Sequence, residues 1–377
     1  MKTHPTNPFV VAGYQGPEFF CDRESETAAI ASAMNNGRNV TLISPRRMGK
    51  TGLVHHVFNR LEAAEKNCRC FYLDIFATQG LSDFTALFGK TVLGKLDGIS
   101  EAAVRRLSGF FRSFRPQFSI NPLTGSPEMT LDIRQGDSER GLSEIFDYIK
   151  RSDRPCRIAI DEFQQILTYP EKGIEALLRS HTQFAPNAAF IFSGSEKHLM
   201  DEMFASAKRP FYQSAQKVSL GAIPIDVYRD FAAAKFSQAG RKLPGTVFDR
   251  VYEMLSGHTW YVQLVLNILY SDGVKTVDDV DLDRVIAATL TEQSATYKTY
   301  CAMLTAGQLR VLRAVASERD VATPTNSAFI RRHNLGAASS VRLALKALCD
   351  KSLVLRDDQG CHSVYDRFFG LWLQRMS

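Results

Sequence analysis

Apolar and β-branched residues gather in five short runs along the first 223 positions: 38–44 (RNVTLIS), 69–76 (RCFYLDIF), 156–161 (CRIAID), 188–195 (AAFIFSGS) and 216–220 (QKVSL). Each has the length of a strand, and most are apolar nearly throughout, the pattern of a strand buried on both faces. Helical spacing fills the intervals: 50–65, 81–96, 101–113, 139–151, further segments to about 184, and one near 196–204. Strands alternating with helices predict a parallel sheet covered on both faces, an α/β architecture. The interval 117–133 breaks the alternation. Two alternating runs there flank Pro122-Leu123-Thr124-Gly125-Ser126-Pro127, which predicts a β-hairpin inserted between helices.

After Pro224 the strand pattern stops. Helices are expected at 225–239, 245–256, 260–271 and 278–293, forming a separate helical subdomain. From Leu304 the pattern changes again, to helices at 305–317, 326–333 and 337–350 and a short two-stranded piece over 353–364. The chain thus divides into an α/β domain over 1–223, a helical subdomain over 224–300 and a third domain over 301–377. No internal repeat or low-complexity segment interrupts this order.

The clearest chemistry follows the first strand and opens the first helix: Ser44-Pro45-Arg46-Arg47-Met48-Gly49-Lys50-Thr51-Gly52. This is the phosphate-loop pattern G-x-x-x-x-G-K-[ST] with serine in place of its first glycine. Backbone N–H groups of the loop and of the helix N-terminus point at a β-phosphate. Gly49 permits close backbone approach. Lys50 is placed to reach β and γ oxygens, and the Thr51 hydroxyl to ligate Mg²⁺. Ser44 is small enough for the turn provided its φ stays negative. The partner motif is RIAIDEF, 157–163, whose apolar run ends in Asp161 and Glu162 at the carboxyl edge of the sheet, where open α/β sheets bind ligands. Asp161 is expected to hold Mg²⁺ through water, and Glu162 to polarise the attacking water. The plainer alternative is a pair of acids complementing a helix dipole. Ser193 and Ser195, ending the strand over 188–195, have two readings, as γ-phosphate sensors or as a turn with a serine cap.

Composition bounds these readings. Hydrophobic residues at 45% and charged residues at 23% are those of a globular protein. No apolar run fits a signal peptide or spans a bilayer, so a cytoplasmic protein without membrane contact is expected. The seven cysteines, Cys21, Cys68, Cys70, Cys156, Cys301, Cys349 and Cys361, are scattered without a C-x-x-C pair, which argues for free buried thiols over disulfides or zinc. The net charge of +6 is uneven: residues 304–377 hold eleven Lys and Arg against six acids. That end suits an anionic partner or is simply a solvated surface.

Beyond these motifs, GPEFFCDRESE (16–26), LISPRRMGKTGL (42–53), IAIDEFQQIL (158–167), FIFSGSEKHLM (190–200), RPFYQSA (209–215), SGHTWYVQLVLNILY (256–270) and VYDRFFGLWL (364–373) together resemble the AAA+/STAND group of P-loop ATPases, and more narrowly the archaeal-type ATPase family. The resemblance covers almost the whole chain. It implies an AAA+-like α/β core with a helical lid and a C-terminal winged helix, and ATP and Mg²⁺ as cofactors. It also implies that Phe20, Cys21 and Arg23 border the adenine. Where the family often carries P-L-Y-G-R-A, this chain has Pro210-Phe211-Tyr212-Gln213-Ser214-Ala215, so Arg209 stands as the nearby candidate for a γ-phosphate or intersubunit arginine. Where the lid often reads G-G-x-P, it has Gly257-His258-Thr259-Trp260.

Residues 326–333, a turn at Leu335-Gly336 and residues 338–351 form a helix-turn-helix pattern, followed by a wing with its turn at Asp357-Asp358-Gln359-Gly360. Ser339, Ser340, Arg342 and Lys346 are the expected exposed residues of the second helix, with Arg331, Arg332 and Arg356 as phosphate contacts. DNA contact through 326–364 and a protein-contacting or internal role are both open. His362 and Trp372 read as core or surface residues, not ligands. The leading expectation is an ATPase acting as a nucleotide-driven conformational switch, with oligomerisation open. The alternatives are a nucleotide-regulated DNA-binding protein and a slow-turnover protein-interaction scaffold.

Overall fold

A computed structural model describes residues 6–96, 112–120, 127–134, 136–357 and 359–376, without the side chains of 94, 115–120 and 127–132. The helix expected over 101–113 lies outside the described residues except for 112 and 113, which form a bend. The hairpin turn at 121–126 and Asp358 of the wing turn also lie outside them. The chain forms two compact units, one of residues 12–223 and one of residues 224–377 together with Thr6–Val11.

The first unit is built on five parallel strands: β1 (Val40–Ile43), β2 (Arg69–Asp74), β5 (Cys156–Asp161), β6 (Ala188–Gly194) and β7 (Gln216–Ser219), in the order β2-β5-β6-β1-β7. β1, β5 and β6 are buried along their whole length, whereas the edge strands β2 and β7 alternate. Interior strands of a doubly covered sheet need apolar side chains on both faces, which is why these runs were so easily seen. One face carries a core with Val40, Leu42, Val54, Val57, Phe58 and Ile191; the other a larger one with Phe71, Phe84, Phe88, Phe146, Phe190 and Phe192. The helices are α1 (Glu24–Asn35), α2 (Lys50–Ala64), α3 (Leu81–Leu96), α4 (Ser138–Arg151), α5 (Ile174–Gln183) and α6 (Lys197–Ala205), with 3₁₀ turns at Pro17–Phe19 and Phe163–Thr168. Helix α1 has no counterpart in the sequence reading. The hairpin is present as antiparallel β3 (Phe114–Ile120) and β4 (Pro127–Ile133).

In the second unit, α7 (Ile225–Gln238), α8 (Gly245–Met254), α9 (Thr259–Ser271) and α10 (Asp279–Ala302) form the helical lid, and α11 (Ala306–Glu318), α12 (Ser327–Arg332) and α13 (Ala338–Asp350) the helices of the winged domain. Its sheet has three strands, not two: β8 (Asp320–Val321), β10 (His362–Val364) and β9 (Val354–Arg356), in that order. A last helix, α14 (Arg367–Arg375), returns to the lid. Its Phe369 stacks on Tyr297 of α10 at 5.0 Å, and Trp372 Nε1 donates to Ser294 Oγ at 3.2 Å. Segment Thr6–Val11 packs on the lid. Phe9 is fully buried against Phe231, Phe236 and Tyr270, and Asn267 Nδ2 donates to Phe9 O at 2.6 Å. A buried Phe contributes about 2 kcal/mol by apolar transfer alone, so this segment is held firmly.

Candidate active site

The phosphate loop leaves β1 at Ser44, whose N–H bonds Gly194 O at 3.4 Å, and enters α2 at Gly49. Ser44 is not among the residues with positive φ, so serine meets the condition set by losing the glycine. The left-handed positions are Arg47 (φ 67) and Gly49 (φ 94). At Arg47 a side chain occupies a conformation that costs about 1 kcal/mol or more, and such strain clusters at ligand clamps. Lys50 is buried at 7% exposure, and its Nζ donates to Ser44 O at 3.2 Å. Burial lowers its pKa from the usual 10.5, and Arg46 lowers it further; Asp161 and Glu162 act in the opposite sense.

Thr51 Oγ1, on the first turn of α2, donates to Asp161 Oδ2 at 3.2 Å. The same oxygen accepts from Tyr72 Oη at 2.5 Å, and His55 packs against the Tyr72 ring at 4.7 Å. Burial, with the neighbouring Asp161, pushes the Tyr72 phenol far above its ordinary range, so it stays a donor. Asp161 is 4% exposed and Thr51 is exposed. The corner therefore offers two oxygen ligands, one anionic, of the kind Mg²⁺ takes.

Glu162 follows Asp161 with φ 54 and ψ 43, a left-handed turn that carries its side chain out of the strand. Phe163 anchors this turn: it is fully buried against Phe192 at 4.6 Å, Phe211 at 5.3 Å and Phe204 at 6.0 Å. Glu162 Oε2 accepts from Gln164 Nε2 at 2.5 Å and from Ser195 Oγ at 2.7 Å. Arg46 of the loop reaches Ser195 Oγ at 3.4 Å and lies over the Phe76 ring at 5.5 Å. Ser193 is fully buried with its hydroxyl unpartnered among the described residues, so of the two serines only Ser195 joins the cluster.

Beside α2, Phe20 stacks on His56 at 4.3 Å and 16°, with Tyr14 edge-on to both and its hydroxyl 3.0 Å from His56 Nδ1. A Cβ on Gly52 would stand 3.4 Å from the Phe20 ring. Cys21 is buried, its thiol pushed up to about 12 by burial. Arg23 closes a left-handed pair with Asp22 and is buried. Its guanidinium donates to Gly221 O at 2.6 Å and pairs with Glu26 at 3.1 Å, tying α1 to the segment after β7. Arg209 is paired with Glu175 at 2.8 Å and with Glu202 at 3.7 Å. No contact joins it to the loop cluster among the described residues. The loop, Asp161, Glu162 and Ser195 thus come together; Arg23 and Arg209 are paired elsewhere, and the Ser193 hydroxyl lies buried outside the cluster. Sequence reasoning missed Tyr72, His55, His56 and Gln164. A polar residue next to a motif is common, and only the fold shows that these four turn inward.

A phosphate loop on a parallel sheet, with the acidic strand one place removed, defines a P-loop nucleoside triphosphatase fold. The chain belongs to the family described as the ATPase domain predominantly from Archaea, whose model matches residues 20–265. A second model, "Probable winged helix domain", matches residues 295–375. A Walker-type ATPase of Pyrococcus abyssi is similar in fold at TM-score 0.64 and 16% identity, covering 97% of this chain and 99% of that one. The Aeropyrum pernix ORC2 protein, in ADPNP–ADP complexes, is similar at 0.56 and 16%, covering 98% of each chain. The Aeropyrum pernix ORC1 protein, in complex with DNA, is similar at 0.55 and 13%, covering 99% of this chain and 97% of that one. Comparison with curated proteins by sequence gives no match. Among the described residues no helix is long and apolar enough to cross a membrane.

Proposed function

We propose that this protein binds ATP with Mg²⁺ and hydrolyses it, and that the hydrolytic cycle drives a conformational switch. The observation that carries the reading is the convergence of Thr51 and Asp161 at 3.2 Å beside a buried Lys50, with Glu162 next in the chain. Loop N–H groups and Lys50 hold the β- and γ-phosphates. Thr51 and Asp161 hold Mg²⁺, which when bound neutralises charge on the phosphate oxygens. Glu162 accepts a proton from water as the water oxygen bonds to the γ-phosphorus. The bond from that phosphorus to the bridging oxygen breaks, and ADP and phosphate leave. Phe20, with Tyr14 and His56 behind it, offers an aromatic surface for the base.

Two variants test this. Lys50→Ala should abolish ATP binding by calorimetry, and Glu162→Gln should bind ATP but lose most turnover. Wild-type affinity in the first, or turnover within a few-fold of wild type in the second, removes the corresponding assignment.

A second reading has its own support. Arg342 and Lys346 are exposed on α13 and have no acidic partner among the described residues. A winged helix with unpaired cations on its second helix suits nucleic acid, and the reading makes the protein a nucleotide-regulated DNA-binding ATPase.

A further inference from the structure

Gln164 is only 5% exposed, and it is half satisfied: Nε2 donates to Glu162, while Oε1 is buried without a hydrogen-bond partner among the described residues. Leaving a buried amide oxygen unpaired costs stability, and an apolar residue of the same shape would avoid the cost. The surroundings are shaped for the glutamine all the same. A Cβ on Gly194, at the end of β6, would fall 2.5 Å from Gln164 Oε1 and 2.6 Å from Met200 Cγ. Gly194 is not a positive-φ residue, so glycine here supplies space and not backbone freedom.

The next residue completes the arrangement. Ser195 Oγ donates to the same carboxylate oxygen as Gln164 and accepts from Arg46 Nε. Every hydrogen bond in the series therefore runs one way, from Arg46 of the phosphate loop through Ser195 to Glu162, with Gln164 donating from the other side. Two donors on Oε2 leave Oε1 of Glu162 as the acceptor with no partner among the described residues. A carboxylate on a strained left-handed turn, held by one oxygen, has its second oxygen directed without any further contact.

We propose that Gln164, seconded by Ser195, is a positioning residue for hydrolysis: it fixes the Glu162 carboxylate so that Oε1 alone receives the attacking water. This rests on Glu162 being the water-polarising base. Misplacing a catalytic group by about 1 Å can cost on the order of 100-fold in rate, whereas a packing residue acts on stability without regard to Glu162.

The test measures ATP affinity, kcat, KM and thermal midpoint for Gln164→Leu and Ser195→Ala, each alone and combined with Glu162→Gln. For Gln164→Leu we expect unchanged ATP affinity and KM, a thermal midpoint equal to or above wild type, and kcat lower by about 10-fold or more. In the Glu162→Gln background, neither substitution should lower the residual rate further, because its target is already gone. A wild-type kcat in Gln164→Leu overturns the proposal, as does an equal fractional loss in both backgrounds. Should Gln164→Leu not fold, Ser195→Ala at its half-buried hydroxyl decides by the same comparison. Turnover surviving Glu162→Gln would instead strike the base assignment, a different result from either.

Discussion

Tyr72 and Asp161 lie on adjacent parallel strands, and the Tyr72 phenol donates to Asp161 Oδ2 at 2.5 Å, the same oxygen that Thr51 reaches. A partner behind a metal-ligating carboxylate fixes its orientation, and losing such a partner typically costs 10–100-fold in metal affinity. Tyr72→Phe should therefore raise the Mg²⁺ concentration needed for half-maximal turnover by about 10-fold. ADP affinity in the presence of a chelator should not change. Calorimetry with and without Mg²⁺ checks both; equal losses in the two conditions would mean that Tyr72 supports the loop and not the metal corner.

Lys50 makes nucleotide binding pH-dependent in a definite direction. Burial depresses its pKa below 10.5 in the free protein, and bound phosphates favour the charged form and raise it again. Between the two values, binding takes up a proton, and affinity falls as pH rises through the depressed one. Calorimetric titrations of ADP in buffers of different ionisation enthalpy should show this uptake at alkaline pH. It should vanish in Lys50→Met.

Arg209 is held by Glu175, a carboxyl only 9% exposed whose pKa burial raises even against the pull of Arg209. Arg209→Ala leaves that acid without its cation and should destabilise the first unit by roughly 2 kcal/mol. Thermal denaturation measures this. Unchanged stability with a clear loss of turnover would instead return Arg209 to the nucleotide.

How much of this was legible turns on which interactions are local. The phosphate loop and the Asp161-Glu162 corner could be read because strand, motif and helix follow one another directly. β6 was visible as an apolar run, but its place between β1 and β5 appears only in the fold. Tyr72 and His56 stayed hidden because their roles come from partners on other elements, such as Asp161 for Tyr72, 89 residues away; Gln164 lies two residues from its partner Glu162, and only the fold shows it turned inward. Helix α1 was missed for a different reason: its start is a pair of left-handed residues, Asp22 and Arg23, with no capping hydrogen bond, so no start signal appears. Helix α14 had one, Asp366 accepting from Phe369, but the run after it is only nine residues long.

For the winged domain, Arg342 and Lys346 stand four apart on α13, beside Leu343, which is 69% exposed. If the helix meets DNA, phosphate contacts supply most of the non-specific affinity. Arg342→Ala with Lys346→Ala should then weaken binding to any duplex and flatten the salt slope by up to about 2 units. Absence of wild-type binding at low salt, with and without ATP, would assign this face to an acidic protein partner instead.

The segment Thr6–Val11 has a consequence for how the chain is made. Phe9 is synthesised well before its pocket, which needs Phe236 and Tyr270, and the bond that clasps its carbonyl comes from Asn267, 258 positions later. Synthesis runs at about 5–20 residues per second, so the two are separated by tens of seconds. During that time the first unit can fold while this segment has nowhere to dock. Thr6–Val11 thus precedes its partners by most of this sequence, and an apolar hook stays exposed on the nascent chain until the lid helices emerge.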